Sequence, residues 1–288
     1  MDNRKNNVVS VVHLIWIDYG IELFKKFLES YTKNPSGYPH DLILLFNGVN
    51  EVGETEPYLD LILKTGTSFQ SHINYHRSQD LEAYFWITDQ LSSQYILFLN
   101  SYAEFNEPGW LEKYMRHIDN KEIGLIGATG SWLSYYRTVM NQNPPKWEAG
   151  KTFGANIKKY RTFLKASFYW RWFFPDFPNP HLRTNAFLIS RALMLEIKSK
   201  PLGSKKFNAY LLESGNNSIT RQVLKKGMKA MVLDRHGILY DPENWDKSKV
   251  FWISEQENLL VSDNQTQLYA GSPASEKSVM SLNAWGIK

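Results

Sequence analysis

The chain has 288 residues, no cysteine, 43% hydrophobic and 22% charged residues, and a formal net charge of +4. Such a composition builds a globular core and excludes a disordered chain, disulfide staples, a thiolate nucleophile and cysteine-held zinc. So slight a charge permits an anionic ligand or a membrane-surface contact, but argues against a nucleic-acid binder, which needs dense basic patches.

Taken in order, the apolar, β-branched run over 8–17 predicts a buried first strand, broken at Asp18-Tyr19-Gly20. Helical spacing follows over 21–31, a second buried strand over 41–46 closing at Asn47-Gly48, a loop and short helix over 51–67, and a short strand over 73–76. A helix over 80–91 has Asp80 placed to cap it. The run YILFL at 95–99 reads as a strand buried on both faces, stopping at the polar group Asn100-Ser101-Tyr102-Ala103-Glu104. Pro108-Gly109 turns the chain into a helix over 110–118. A strand over 123–126 ends in the small residues Gly127-Ala128-Thr129-Gly130-Ser131, which let a backbone or ligand approach closely. Residues 133–180 are aromatic-rich and irregular in pattern. A strand over 184–190, helices over 191–198 and 214–226 and a strand over 231–234 complete the reading, with an irregular tail from Tyr240.

Strands alternating with helices imply an α/β fold with a mostly parallel, twisted, Rossmann-like sheet flanked by helices, in one domain. Within it, an α/β half over 1–132 runs into a more irregular half over 133–240, and the tail over 241–288 would pack on the site. Ligands in such sheets bind outside the carboxyl ends of the strands, so two polar strand ends close together mark a site. His13, inside a strand, reads as a satisfied core histidine. The N-terminus has a basic start but too short an apolar run to span a bilayer and no small-residue cleavage site, so a cytoplasmic location is expected.

In order and spacing these segments resemble GT-A glycosyltransferases, near the family-2 nucleotide-sugar enzymes. LILLFNG at 42–48 looks like the family's second strand, and DLEAY at 80–84 like the start of its base-contacting helix. Residues 98–110 look like the strand bearing the aspartate-any-aspartate motif and its proline-glycine-tryptophan turn. HLRTNA at 181–186 resembles the later strand lining the acceptor site, and Glu213-Ser214-Gly215 the acidic motif that opens the acceptor-side helix. The resemblance implies transfer of a sugar from a nucleotide-sugar donor to a glycan or lipid-linked saccharide. Glu213 is then the general base of an inverting displacement; otherwise it is a helix-start carboxylate favoured by the macrodipole. Donor contacts fall on Asn47, Asp80, Asn100, Ser101, Tyr102, Arg183 and His236, and acceptor contacts on Trp132, Asn185, Ser214 and Arg221. For Asn47 and Asp80, turn formation and helix capping are the competing readings.

The chain departs from the family where the two aspartates should stand, at Asn100 and Tyr102. An amide and a phenol are poor ligands for a hard divalent cation such as Mg2+ or Mn2+. Three readings stay open: a metal-independent enzyme, a metal held by Glu104, or a non-catalytic nucleotide-sugar or glycan-binding module. A metal-free site needs cations on the diphosphate, for which Arg183, Arg221, Arg235 and His236 are candidates, each with a solvated surface charge as its alternative. The basic-aromatic stretch 158–177 reads as a membrane-interface segment, a sugar platform or a packed lid. In the tail, Asp263 and Asn264 are candidates to touch donor or acceptor, while Trp245 and Trp252 could equally be packing anchors.

Overall fold

The computed structural model describes residues 8–142, 144–199 and 206–286. The chain begins with β1 (Val9–Trp16), α1 (Ile21–Lys33), β2 (Asp41–Asn47), α2 (Glu56–Leu63), β3 (Gln70–Asn74), α3 (Asp80–Thr88) and β4 (Tyr95–Leu99). It continues through β5 (Glu104–Phe105), α4 (Trp110–Met115), β6 (Ile123–Gly127), β7 (Gly130–Ser131), α5 (Tyr135–Gln142), α6 (Phe153–Phe173), β8 (His181–Leu182), β9 (Ala186–Ser190) and α7 (Arg191–Glu196). The last elements are α8 (Lys206–Ser214), α9 (Ile219–Lys225), β10 (Lys229–Leu233), β11 (Leu239–Tyr240), β12 (Val261–Ser262), α10 (Asn264–Gly271) and α11 (Ala274–Trp285).

Eight strands form one sheet in the order β11-β10-β6-β9-β4-β1-β2-β3. Pairings β1–β2, β1–β4, β2–β3 and β6–β10 are parallel, and β9 runs antiparallel between β4 and β6. The mainly parallel, helix-flanked sheet bears out the expected fold class. Alternation along β1 shows how both faces are buried: Val12 and Leu14 point into one core with Phe98, Tyr84 and Phe187, while Val9, Val11 and Ile15 point into the other with Phe24, Phe27 and Trp110. Because β9 is reversed, its entry meets the exits of β4 and β6. Asn100 N–H donates to Asn185 O at 2.9 Å, and Ala128 N–H to Ala186 O at 2.9 Å.

The structure corrects several expectations. The stretch 133–180 is not irregular but carries α5 and the 21-residue α6, and the tail beyond Tyr240 forms α10 and α11. The helix expected over 214–226 is split, with α8 ending at Ser214 and α9 starting at Ile219 behind the Ser218 N-cap. The two glycines of the run after β6 admit core side chains, since a Cβ on Gly130 would lie 2.8 Å from Trp245 and one on Gly127 3.0 Å from Leu182, while Ser131 at its end lines a cavity at the sheet's carboxyl edge. Trp245 is thus a packing anchor, fully buried. His13 is in the core and stacks on Phe27 with centroids 3.6 Å apart, yet its Nδ1 has no hydrogen-bond partner. Burial pushes its pKa down to about 3, so the ring is a neutral aromatic in the core and not a satisfied histidine.

Candidate active site

A cavity of about 470 Å³ opens at the carboxyl edge of the sheet. The loop after β1 gives it Tyr19, the entry to α3 gives Gln79 and Asp80, and the exit of β4 gives Asn100 and Tyr102. β8 supplies His181, the segment joining it to β9 supplies Arg183, Thr184 and Asn185, and α8 supplies Tyr210, Glu213 and Ser214. From the C-terminal part come Phe251, Trp252, Asn264 and Gln265. A pocket with polar groups converging from so many connections on a rigid sheet is the usual form of a small-molecule site.

Glu213 lies at the end of α8, not at the start of a helix. The macrodipole therefore disfavours a carboxylate there, and it is held instead by Thr184, whose N–H donates to Glu213 Oε1 at 3.2 Å and whose hydroxyl donates at 3.4 Å. Asp80 faces the same cavity. It occupies the first turn of α3 behind Gln79, with no side-chain capping bond at that terminus, so it is not the cap expected of it. Burial first, and then the neighbouring Glu213 charge, push its pKa up to about 6. Two carboxyl groups with unlike environments, one tuned toward neutrality, are what acid–base chemistry uses.

His181 is buried and its Nδ1–H donates to Asn179 O at 2.8 Å, which leaves Nε2 as the ring's acceptor. Burial lowers its pKa, against the opposing pull of Glu213, so the ring is neutral. Tyr19 and Tyr102 form a tilted ring pair with centroids 5.2 Å apart. Burial, and then the Tyr102 and Asp80 charges, raise the Tyr19 phenol to about 12. Arg183 is the basic side chain of the lining outside His181, and it is already paired: its Nη2 meets Asp263 Oδ2 at 2.8 Å, with the two side chains 13% and 0% exposed. The guanidinium also lies 4.4 Å over the Phe251 ring. Asp263 Oδ1 meanwhile accepts from the backbone N–H groups of Gln265 and Thr266, capping α10. One ion pair therefore fastens the C-terminal helix to the cavity.

Eight of the expected site residues meet in this cavity: Asp80, Asn100, Tyr102, Arg183, Asn185, Glu213, Ser214 and Asn264. The others do not line it. Asn47 is fully buried, giving its amide to Ser78 O at 2.8 Å and accepting from Asn74, so it braces the β2–β3 exits. Ser101 is buried and accepts the Trp16 N–H. Trp132 donates its indole N–H to Pro242 O and packs edge-on against Trp285. Arg221 donates to Asn179 Oδ1, and Arg235 pairs with Glu107. His236 is exposed in the turn after β10. Of the four proposed diphosphate cations only Arg183 reaches the cavity. The sequence reading missed Tyr19, Gln79, Tyr210, Gln265 and a cavity-lining His181, although His181 stands inside a quoted motif. Asn264 lines the wall, and Trp252 reaches it from a backbone in the left-handed region (φ 48°).

A divalent metal does not fit the strand end where the family motif would put one. Asn100 Oδ1 accepts the Tyr102 N–H at 3.1 Å, and the Tyr102 ring rests against Tyr19. Glu104 sits on β5 outside the cavity, bonded to Gln267 at 2.7 Å, which removes it as the substitute ligand. Among the described residues no group of three or more His, Asp or Glu could hold a metal ion.

No protein-family model and no curated protein matches the chain. Among solved structures it is similar to a mannosyltransferase from Pyrobaculum calidifontis in complex with GDP-Man and Mn2+, at 10% identity and a TM-score of 0.48 over 86% of this chain. The chain spans only 61% of that protein's length. It is also similar to glucosyl-3-phosphoglycerate synthase from Mycobacterium tuberculosis in complex with Mn2+, UDP and glucosyl-3-phosphoglycerate, at 14% identity and a TM-score of 0.45 over 98% of this chain and 81% of that one. A third is a putative glucose-1-phosphate thymidylyltransferase from Bacillus anthracis in complex with a sucrose, at 13% identity and a TM-score of 0.40 over 76% of this chain and 84% of that one. At such identities and scores the likeness concerns the fold alone.

Asp80 has a consequence for stability. Its folded pKa of about 6 lies above its ordinary 3.8, so between these values the folded state binds more protons and stability falls as pH rises. Asp80→Asn is expected to gain up to about 3 kcal/mol over the parent at pH 7 and little at pH 4. Urea unfolding at both pH values checks this, and an equal gain at the two would contradict it.

Proposed function

We propose that the chain is a glycosyltransferase that moves a sugar from a nucleotide-sugar donor to a glycan or lipid-linked saccharide, by inversion and without a protein-held metal. The observation that carries the reading is the carboxylate of Glu213, fixed by Thr184 in a polar cavity at the sheet's carboxyl edge. In this reading Glu213 takes the proton of the acceptor hydroxyl as the new bond forms, with Oε1 anchored and Oε2 left for the hydroxyl. Asp80 and the Tyr19–Tyr102 pair lie together on the donor side, where a polar base edge and a flat ring would find a carboxyl group and aromatic faces. Thr184, Asn185 and Ser214 provide hydroxyl and amide partners for sugar hydroxyls.

A second reading is favoured by one specific feature. The charge of Arg183 is offset by Asp263, and Asp80 and Glu213 make the wall acidic, so a diphosphate meets little positive charge. That suits a module that binds a glycan without turning over a donor. Incubation of the protein with a panel of nucleotide sugars, with and without Mn2+ and with sugar acceptors, separates the two. Release of nucleoside diphosphate supports the transferase; saturable glycan binding with no release in any condition supports the module.

A further inference from the structure

We propose that α6 is a docking surface for an anionic lipid bilayer, which it meets with an apolar stripe edged by lysine and arginine. The inference rests on this helix alone and not on the sugar-transfer reading.

One face of α6 packs on the body of the protein. Asn156 is buried, the Ser167 hydroxyl bonds to Tyr136 at 2.8 Å, and Trp170 and Phe174 close on Tyr135 and Phe207. On the opposite side, at the four-residue spacing that aligns side chains along a helix, Leu164, Phe168 and Trp172 are 64%, 76% and 72% exposed. Phe153 extends the stripe toward the helix start, also exposed. Phe153 meets the Trp147 ring, but among the described residues Leu164, Phe168 and Trp172 stay exposed, and large apolar groups aligned in water are a feature monomeric proteins seldom keep without use.

The charge around the stripe selects the partner. From 153 to 173 the helix carries five cationic residues, Lys158, Lys159, Arg161, Lys165 and Arg171, and no Asp or Glu. Lys159 is paired with Glu148, and Arg171 with Asp176. Lys158, Arg161 and Lys165 follow the helical spacing of three and four along the row beside the stripe, all exposed. Aromatic and aliphatic side chains beside such cations match a bilayer interface, where rings enter at headgroup depth and ammonium or guanidinium groups meet lipid phosphates. No helix among the described residues is long and apolar enough to cross a membrane, so the contact would be a surface one.

The test is flotation of the full chain with vesicles of phosphatidylcholine alone and of equal parts phosphatidylcholine and phosphatidylglycerol, at low and high salt. Binding is expected to the anionic vesicles, to weaken at least tenfold at high salt and to be slight on phosphatidylcholine. The combined variant L164S/F168S/W172S should lose binding at least tenfold, and K158E/R161E/K165E should abolish the preference for anionic lipid. Both should unfold at the parent's temperature, because the altered side chains are exposed. The proposal is overturned if the parent does not float with anionic vesicles, or if both variants float like the parent. It is equally overturned if sedimentation shows a dimer that the apolar variant dissolves, since the stripe would then serve a second copy of the chain.

Discussion

Glu213→Gln is expected to slow sugar transfer by roughly 10²–10⁴-fold, the usual contribution of a positioned general base, while donor affinity changes only a few-fold. The amide keeps an acceptor oxygen for the Thr184 N–H and hydroxyl, so the geometry of the site should survive the change. That is why Gln tests the chemistry and Ala would not. Single-turnover rates with a saturating donor, alongside the unfolding temperature of the variant, are the measurements. A rate within a few-fold of the parent would remove Glu213 as base and reduce it to a brace for the β8–β9 segment.

The second large effect concerns the fastening of the C-terminal helices. Arg183→Ala should cost about 3–5 kcal/mol, because it leaves the Asp263 carboxylate in a fully buried position without its cation. Loss of the guanidinium over Phe251 adds to this. Asp263 still caps α10 through Oδ1, so the helix itself should survive and its docking should be what weakens. Urea unfolding gives the free energy, and hydrogen exchange should show α10 and α11 opening before the sheet. A loss below about 1 kcal/mol would mean that the pair is solvated and screened, as surface pairs are.

How much of this was legible in the sequence follows from where the forces are local. Four strands were: β4 runs Tyr95–Leu99 as its continuous apolar pattern predicts, and β1, β2 and β6 fall within one residue of their expected ends, whereas the strand expected over 73–76 lies earlier, at Gln70–Asn74. Burial on both faces leaves such a run no other use. The convergence of Asp80 and Glu213 with Asn100 and Asn185 was legible only through the resemblance to GT-A enzymes, because Asp80 and Glu213 lie on α3 and α8 and not at strand ends. The helices of the second half were not. The apolar residues of α6 lie on two opposite sides, one packed and one exposed, so no single amphipathic period shows. The break between α8 and α9 rests on the Ser218 cap, and on Gly215, where a Cβ would lie 2.5 Å from Leu211 O. The Arg183–Asp263 pair joins residues 80 positions apart and has no local signature at all. It accounts for why Arg183, chosen as a free cation, is a committed one. Asn47 failed as a ligand residue for a related reason: its bonds to Ser78 and Asn74 depend on the β2–β3 register, which a single strand does not reveal.

The central claim is that the cavity at the sheet's carboxyl edge holds a nucleotide sugar without a protein-held metal, and calorimetric titration of nucleotide sugars in the presence of a chelator tests it most directly. The account predicts saturable binding of at least one nucleoside-diphosphate sugar under those conditions, weakened about tenfold or more by Tyr102→Ala, whose ring lines the cavity against Tyr19. No binding of any nucleotide sugar or nucleoside diphosphate, with chelator or with Mn2+, would contradict it.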